Sequence, residues 1–449
     1  MSVRVVRDVP VRAPEAAAAG LQNDVFRQQR ARSRPLGNMT AVRVCGFANV
    51  FHVLVGLSLS VACTGSLTGS NAERDGGSGP VVGRDGALPV GPDGGGPEVD
   101  DGGLVGDDAG GLVGDDAEVP TDDAGAPLPG PTDAGGPTER GFRVDGRRLL
   151  IDGEPLEIRG VCWSPVPRGS AWPPDYARFV DRDSEMMAAA GITHVRTYGP
   201  ILDRTVLDRL HARGISVLMT VYSWGGDPES VAMESARQVI DHPAIAMWLV
   251  GNEWNYNGYY TGLPFGEAVA RTERVAAALK ALDPSRPVAT IYGELPSPET
   301  LAAIPSVDLW GINAYRGIGF GDLFARWAAL SNKPMFMGEY GADAWDARDG
   351  GRPNVEAQAD ATRALTEAIL ASSTARHADG VVLGGTIFEW NDEWWKDGSG
   401  SVDAHDVGGV APGGGPHPDA TFNEEWWGIV DIDRRPRPAY TALQAIYTR

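Results

Sequence analysis

Residues 140–449 are predicted to form an α/β barrel of eight parallel strands, and three observations carry that expectation. Eight apolar runs recur along this part of the chain, helix-period segments separate most of them, and no Gly-x-Gly-x-x-Gly follows the first run. Continuous apolar runs, rather than alternating ones, suit parallel strands covered on both faces. Repeated strand–helix units imply a parallel sheet, and eight of them imply closure into a (β/α)8 barrel. An open doubly wound sheet, the alternative, would want a glycine-rich phosphate turn after its first strand. Roughly 310 residues is also a usual size for one such barrel with insertions.

The elements follow in order. Phe142-Arg-Val-Asp-Gly-Arg-Arg-Leu-Leu-Ile-Asp-Gly-Glu-Pro155 reads as two short strands punctuated by Asp-Gly turns. That is a β-hairpin, expected to close the bottom of the barrel. The strand runs are Leu156–Trp163, Thr193–Tyr198, Ser216–Tyr222, Ala244–Val250, Pro287–Tyr292, Val307–Tyr315, Pro334–Gly338 and Gly380–Trp390. Helical patterns are clearest over Tyr176–Ala190, Leu202–Ala212, Val231–Ile240, Phe265–Leu282, Phe320–Leu330 and Val355–Ala375, with Pro438–Tyr447 as a closing helix.

Upstream the composition changes. From Thr64 to Glu139 there is no aromatic residue, and sixteen carboxylate residues stand against two arginines, −14 of the chain's formal −21. Such a segment buries too little apolar surface to offset its chain entropy, so residues 64–139 are expected to be a disordered acidic linker. The acidity belongs to this tether, and no basic footprint for nucleic acid is present. Gly102-Gly-Leu-Val-Gly-Asp-Asp-Ala109 recurs at once over residues 110–117, which reads as low-complexity expansion rather than a calcium-binding repeat.

Residues 1–38 are Arg- and Ala-rich and do not read as a secretion signal, which points to Met39 as the start. Residues 39–63 then have a charged beginning at Arg43, an apolar core and small residues before Cys63, the layout of a signal peptide. Leu59-Ser-Val-Ala-Cys63 resembles a bacterial lipoprotein signal, with Ser60 departing from the usual leucine. That resemblance implies lipidation of Cys63, a lipid anchor as the membrane contact, and export to the cell envelope. Cys45 also falls in the signal, leaving Cys162 alone in the barrel, so neither a disulfide framework nor a cysteine metal site is expected.

Two carboxylates stand out in the barrel. Glu253 ends Trp248-Leu-Val-Gly-Asn-Glu253, and Glu339 lies in Lys333-Pro-Met-Phe-Met-Gly-Glu339, each where a buried strand meets glycine and aromatics. A carboxylate there is costly unless hydrogen-bonded or employed. Chemistry in such barrels gathers at the C-terminal strand ends. Those ends hold Trp163, Arg196 with Tyr198, Tyr222 with Trp224, Asn252 with Glu253, Tyr292, Asn313 with Tyr315, Glu339 with Tyr340, and Glu389 with Trp390. Aromatic faces stack on sugar rings while amides and charges select hydroxyls, so the mixture points to carbohydrate.

Gly251-Asn-Glu253 after the fourth strand and Gly338-Glu-Tyr-Gly-Ala-Asp343 after the seventh resemble the TIM barrel of clan A retaining glycoside hydrolases. The similarity is greatest to family 2, with likeness to families 5 and 72. The resemblance implies Glu253 as general acid/base and Glu339 as nucleophile of a retaining β-glycoside hydrolase. Asn252 would hydrogen-bond the sugar 2-hydroxyl, Arg196 and Tyr315 would hold the nucleophile, and Trp390 would floor the first subsite. Trp163 and Trp254 join them as expected substrate-binding residues. Family 2 enzymes carry β-sandwich domains before the barrel; here an acidic linker stands in that place, which favours a more open cleft and a β-linked oligo- or polysaccharide.

Further along, Asp403, His405, Asp406, His417 and Asp419 could ligate a cation but show no tight metal spacing. No metal and no cofactor is therefore expected, and the barrel should be a monomer. A β-glucan transglycosylase shares the same chemistry. A non-catalytic carbohydrate-binding surface lipoprotein is the rival of another class, but a binder could dispense with either glutamate, and this chain keeps both.

Overall fold

The computed structural model describes residues 141–396, 401–405, 411–412 and 416–449. The expected signal segment, Cys63 and the acidic linker lie outside these residues.

The described chain opens with three short antiparallel strands, β1 (Phe142–Asp145), β2 (Arg148–Ile151) and β3 (Glu154–Pro155), in the order β1-β2-β3. The expected hairpin is the β1–β2 pair, in register from Phe142 opposite Ile151 to Asp145 opposite Arg148. The second Asp-Gly turn adds β3 to it.

The barrel strands are β4 (Ile158–Cys162), β5 (His194–Arg196), β6 (Ser216–Tyr222), β7 (Ile245–Val250), β8 (Val288–Gly293), β9 (Leu309–Asn313) and β10 (Met335–Tyr340). A two-stranded excursion, β11 (Trp345–Asp346) with β12 (Arg352–Pro353), precedes the last barrel strand, β13 (Val382–Ile387). These eight barrel strands close in chain order, and β13 pairs in parallel with β4, Gly384 opposite Ile158. Closure removes the open edges a doubly wound sheet would keep. Beyond the barrel, β14 (Ala411–Pro412) pairs with β15 (Thr421–Phe422).

The helices between strands are α1 (Tyr176–Ala189), α2 (Arg204–Ala212), α3 (Ser230–Val239), the single turn α4 (Trp254–Asn257), α5 (Phe265–Leu282), α6 (Pro298–Ala303), α7 (Leu323–Leu330) and α8 (Val355–Ala371). Helix α9 (Pro438–Tyr447) closes the chain. Local chemistry sets several starts: the side chains of Asp175, Asp203, Ser297 and Asn354 accept from backbone N–H groups of the first turns of α1, α2, α6 and α8. Helix α6 has no counterpart in the sequence reading, because six residues are too few to show a period. The eighth strand is shorter than its apolar run, stopping at Ile387 rather than Trp390.

Alternation along the strands builds two cores. Val217, Met219, Trp248, Val250, Val288 and Trp310 pack with helix residues such as Val206, Leu210 and Leu279. The intervening residues Leu218, Met247, Leu249, Ala289, Ile291, Leu309, Phe336 and Leu383 pack with one another in the lumen. Leu149 of β2 is fully buried among them, with Phe142 and Ile151 alongside, so the N-terminal sheet plugs the bottom as expected.

Candidate active site

The turn after β7 is built by its neighbours. Gly251 donates its N–H to the carbonyl of Tyr222 at 2.6 Å, and Glu253 donates to that of Ile291 at 3.1 Å. Glu253 adopts left-handed backbone angles, φ 47° and ψ 34°, a costly conformation for a side-chain-bearing residue that surrounding bonds must hold. Asn257 does so by donating to the Asn252 carbonyl at 2.8 Å. Gly251 is required: its φ is +78°, and a Cβ there would stand 2.5 Å from the Trp254 ring.

On the seventh strand, a shift in the β9–β10 register between Met337 and Glu339 resets the alternation. Glu339 thereby faces the mouth while Tyr340 joins the outer core. A Cβ on Gly338 would meet Asn313 Oδ1 at 2.6 Å, which accounts for glycine before this glutamate.

The two carboxylates share one hydrogen-bonded network. Arg196, fully buried, donates from Nη1 to Glu339 Oε1 and to the Gly338 carbonyl, both at 2.8 Å. Its Nη2 donates to Asn252 Oδ1 at 2.6 Å. Tyr198 donates to Glu339 Oε1 and Tyr315 to Oε2, each at 2.8 Å. Asn313 donates to Glu253 Oε1 at 3.2 Å and to Asn252 Oδ1 at 3.3 Å, and Asn252 donates to the Tyr260 hydroxyl at 2.9 Å. The structure thus brings together Glu253, Glu339, Arg196, Asn252 and Tyr315, five of the residues singled out in the sequence.

The electrostatics suit donors aimed at an anion. Burial pushes the Tyr198 hydroxyl well above its usual pKa, with Cys162 and Glu339 adding to the shift. Tyr315 is raised by burial and then by the charges of Glu339 and Glu253. Both phenols therefore keep the protons they donate. Burial opposes the charge on Arg196, but the Glu339 carboxylate it is bonded to offsets this and the guanidinium stays protonated. Cys162, beneath it, has its thiol pushed up to about 11 by burial, consistent with an inert strand residue.

The three tryptophans expected to touch substrate do not lie in this network. Trp163 is fully buried, donates Nε1 to Asp183 at 2.9 Å and packs on Tyr176 in the helix layer. Trp254 donates to Thr290 Oγ1 at 2.8 Å and lies between Tyr259 and Phe265. Trp390, beyond the end of β13, is fully buried against Tyr440 of α9 and forms no floor. All three are wall residues, and their nearness in sequence to strand ends misleads because their rings turn outward.

In their place the structure brings in Tyr198 and Asn313, both read at strand ends in the sequence, together with Tyr260 and Lys396, which the sequence reading did not single out. The Lys396 ammonium lies 4.8 Å from the Phe388 ring centre and 5.9 Å from that of Tyr198. It is paired with Glu393 and, at 3.3 Å, with Glu424. The other cation near the rim, Arg316, is committed to Glu294 and Asp322. Of the loop residues considered as ligands, His405 stacks between Trp394 and Trp426, Asp419 accepts from the backbone of Ala347 and Thr421, and Asp406 lies outside the described residues.

Residues 223–357 match the family model "Glycosyl hydrolases family 2, TIM barrel domain", a span that holds Asn252, Glu253, Asn313, Tyr315 and Glu339. The chain is 28% identical over 233 residues to a β-glucuronidase of Rattus norvegicus, covering 46% of this chain and 34% of that one. It is 30% identical over 234 residues to the Sus scrofa β-glucuronidase, covering 45% and 33%. The chain therefore spans about a third of the length of the curated relatives it matches. Among solved structures, a Bacteroides uniformis β-glucuronidase shares the fold with a TM-score of 0.51 at 21% identity, over 69% of this chain and 37% of that one. B. uniformis β-glucuronidase 2, covalently bound to cyclophellitol-6-carboxylate aziridine, does so with 0.52 at 19% identity, over the same shares. The barrel is similar to the family 2 catalytic domain.

Proposed function

We propose that this protein is a retaining β-glycoside hydrolase that works by double displacement on neutral β-linked oligo- or polysaccharide. The observation that carries this reading is the grip on Glu339: one guanidinium and two phenols converge on its two oxygens, while Glu253 reaches the same network through Asn313. A nucleophile must be ionised and aimed, and an acid/base must face it across the anomeric centre about 5–5.5 Å away in retaining enzymes.

In the first step Glu339 attacks the anomeric carbon while Glu253 gives its proton to the glycosidic oxygen, so the leaving sugar departs as an alcohol. As the covalent ester forms, negative charge leaves Glu339, and the bonds from Tyr198, Tyr315 and Arg196 slacken. Glu253, now a carboxylate, takes a proton from water, which attacks the same carbon and breaks the ester bond. The two inversions leave the anomeric configuration unchanged.

The relatives named above are β-glucuronidases, but a uronic acid needs a free cation beside the first subsite. Arg196, Arg316 and Lys396 are each already paired with carboxylates. A neutral pyranose makes no such demand.

Chemical rescue tests the assignment. Glu339→Gly with azide should yield an α-glycosyl azide, and Glu253→Ala with azide the β product, both from an activated aryl glycoside. Activity like that of the wild type in Glu253→Gln or Glu339→Gln would sink it.

A further inference from the structure

Beside the nucleophile lies a second group of carboxylates that the proposed chemistry does not use. Glu389, Glu393 and Glu424 bring carboxylate oxygens within 4.8 Å of one another. Glu389 and Glu393 are 0% and 1% exposed, and the Glu424 side chain is 27% exposed. Lys396 serves Glu393 and Glu424. Neither Glu389 oxygen has a hydrogen-bond partner among the described residues.

Buried carboxylates are stabilised by pairing or by metal ligation, and Glu389 and Glu393, with Glu424 at the edge, leave two negative charges uncompensated against one ammonium. A single divalent cation cancels that excess. The donors are all oxygen, which selects a hard ion over zinc or copper. Calcium, with bonds of about 2.3–2.6 Å and a flexible geometry, suits three oxygens spread over as much as 4.8 Å better than magnesium, which demands a tight octahedron at about 2.1 Å. We propose that Glu389, Glu393 and Glu424 form a calcium-class cation site in the barrel wall next to the nucleophile.

The ion's place relative to the chemistry is set by Phe388 and Lys396, which separate it from Tyr198. It acts as a fixed charge behind Phe388 and Lys396 and touches no reacting atom.

Calorimetry with calcium chloride on the full-length chain, first stripped with EDTA, tests this, with magnesium chloride as a parallel arm. One equivalent of calcium should bind at the site and raise the unfolding temperature, with magnesium weaker. Glu389→Gln, which keeps volume and removes one anionic ligand of three, should weaken calcium by about 100-fold without changing the circular dichroism of the stripped protein. If Glu389→Gln does not fold, Glu424→Gln at the exposed edge carries the test, with about tenfold weaker binding. Absence of calcium uptake at millimolar concentration would overturn the proposal. So would uptake that both variants leave intact, which would place the ion on the acidic upstream segment.

Discussion

Tyr198 and Tyr315 hold opposite oxygens of one carboxylate: Tyr198 donates to Glu339 Oε1 and Tyr315 to Oε2, both at 2.8 Å. The grip is lopsided. Oε1 also receives Arg196, whereas Tyr315 is the one donor to Oε2 among the described residues.

That asymmetry ranks two substitutions. A hydrogen bond to a charged group is worth about 1.5–3 kcal/mol, so Tyr315→Phe should lower kcat/KM on an aryl β-glycoside by roughly 10–100-fold. Tyr198→Phe, whose oxygen keeps Arg196, should cost less, and the double variant should fall short of the product of the two. Steady-state kinetics with unchanged circular dichroism checks this; a larger loss for Tyr198→Phe would reverse the ranking.

Trp390 tests the reassignment of the tryptophans. Because it packs against Tyr440, Trp390→Ala should destabilise the barrel by about 3–5 kcal/mol. Trp390→Phe should fold with a lower unfolding temperature and KM unchanged within about twofold, as expected of a residue that does not touch substrate. A large rise in KM at unchanged stability would return Trp390 to the subsite.

Substrate charge gives a third measurement. An uncompensated charge in a desolvated site costs about 2–5 kcal/mol, so an aryl β-glucuronide should be turned over at least about 30-fold less efficiently than the best neutral aryl β-glycoside. Rapid glucuronide hydrolysis, with no action on β-glucans or mannans, would show that Lys396 leaves its glutamates to meet the substrate.

His194 should govern part of the acid sensitivity of folding. Burial, with Arg159 nearby, lowers its pKa from 6.5 to about 4. The unfolded chain therefore binds a proton at higher pH than the folded one. The stabilisation is fully present above pH 6.5 and is lost as pH falls toward 4, roughly 3 kcal/mol in all. Urea midpoints measured across that window should fall less steeply for His194→Asn than for the wild type. Equal slopes would place the acid sensitivity elsewhere.

Much of this architecture was legible in the chain because it rests on local pattern. The apolar runs mark the barrel strands, and Gly251-Asn-Glu253 and Gly338-Glu339 mark both carboxylates, since each glycine is demanded by a close approach that leaves a trace in sequence. Directions of side chains are less legible. Trp254 follows the left-handed turn at Glu253, which swings its ring back onto Thr290, and Trp390 comes after the strand has ended. Lys396 was not singled out because it stands in no motif and at no strand end, and its pairing with Glu393 and Glu424 is made only by the folded loop.

The seated side chain of Leu149 makes the barrel a dead end. With the lumen packed from Leu218 to Leu383 and stoppered below, nothing reaches the two glutamates through the barrel, and approach is from the side of the strand ends. In the double displacement proposed above, water and sugar acceptors would then approach the ester from that same side and compete for it. The balance between hydrolysis and sugar transfer would then follow how slowly the leaving group departs and how concentrated the acceptors are outside.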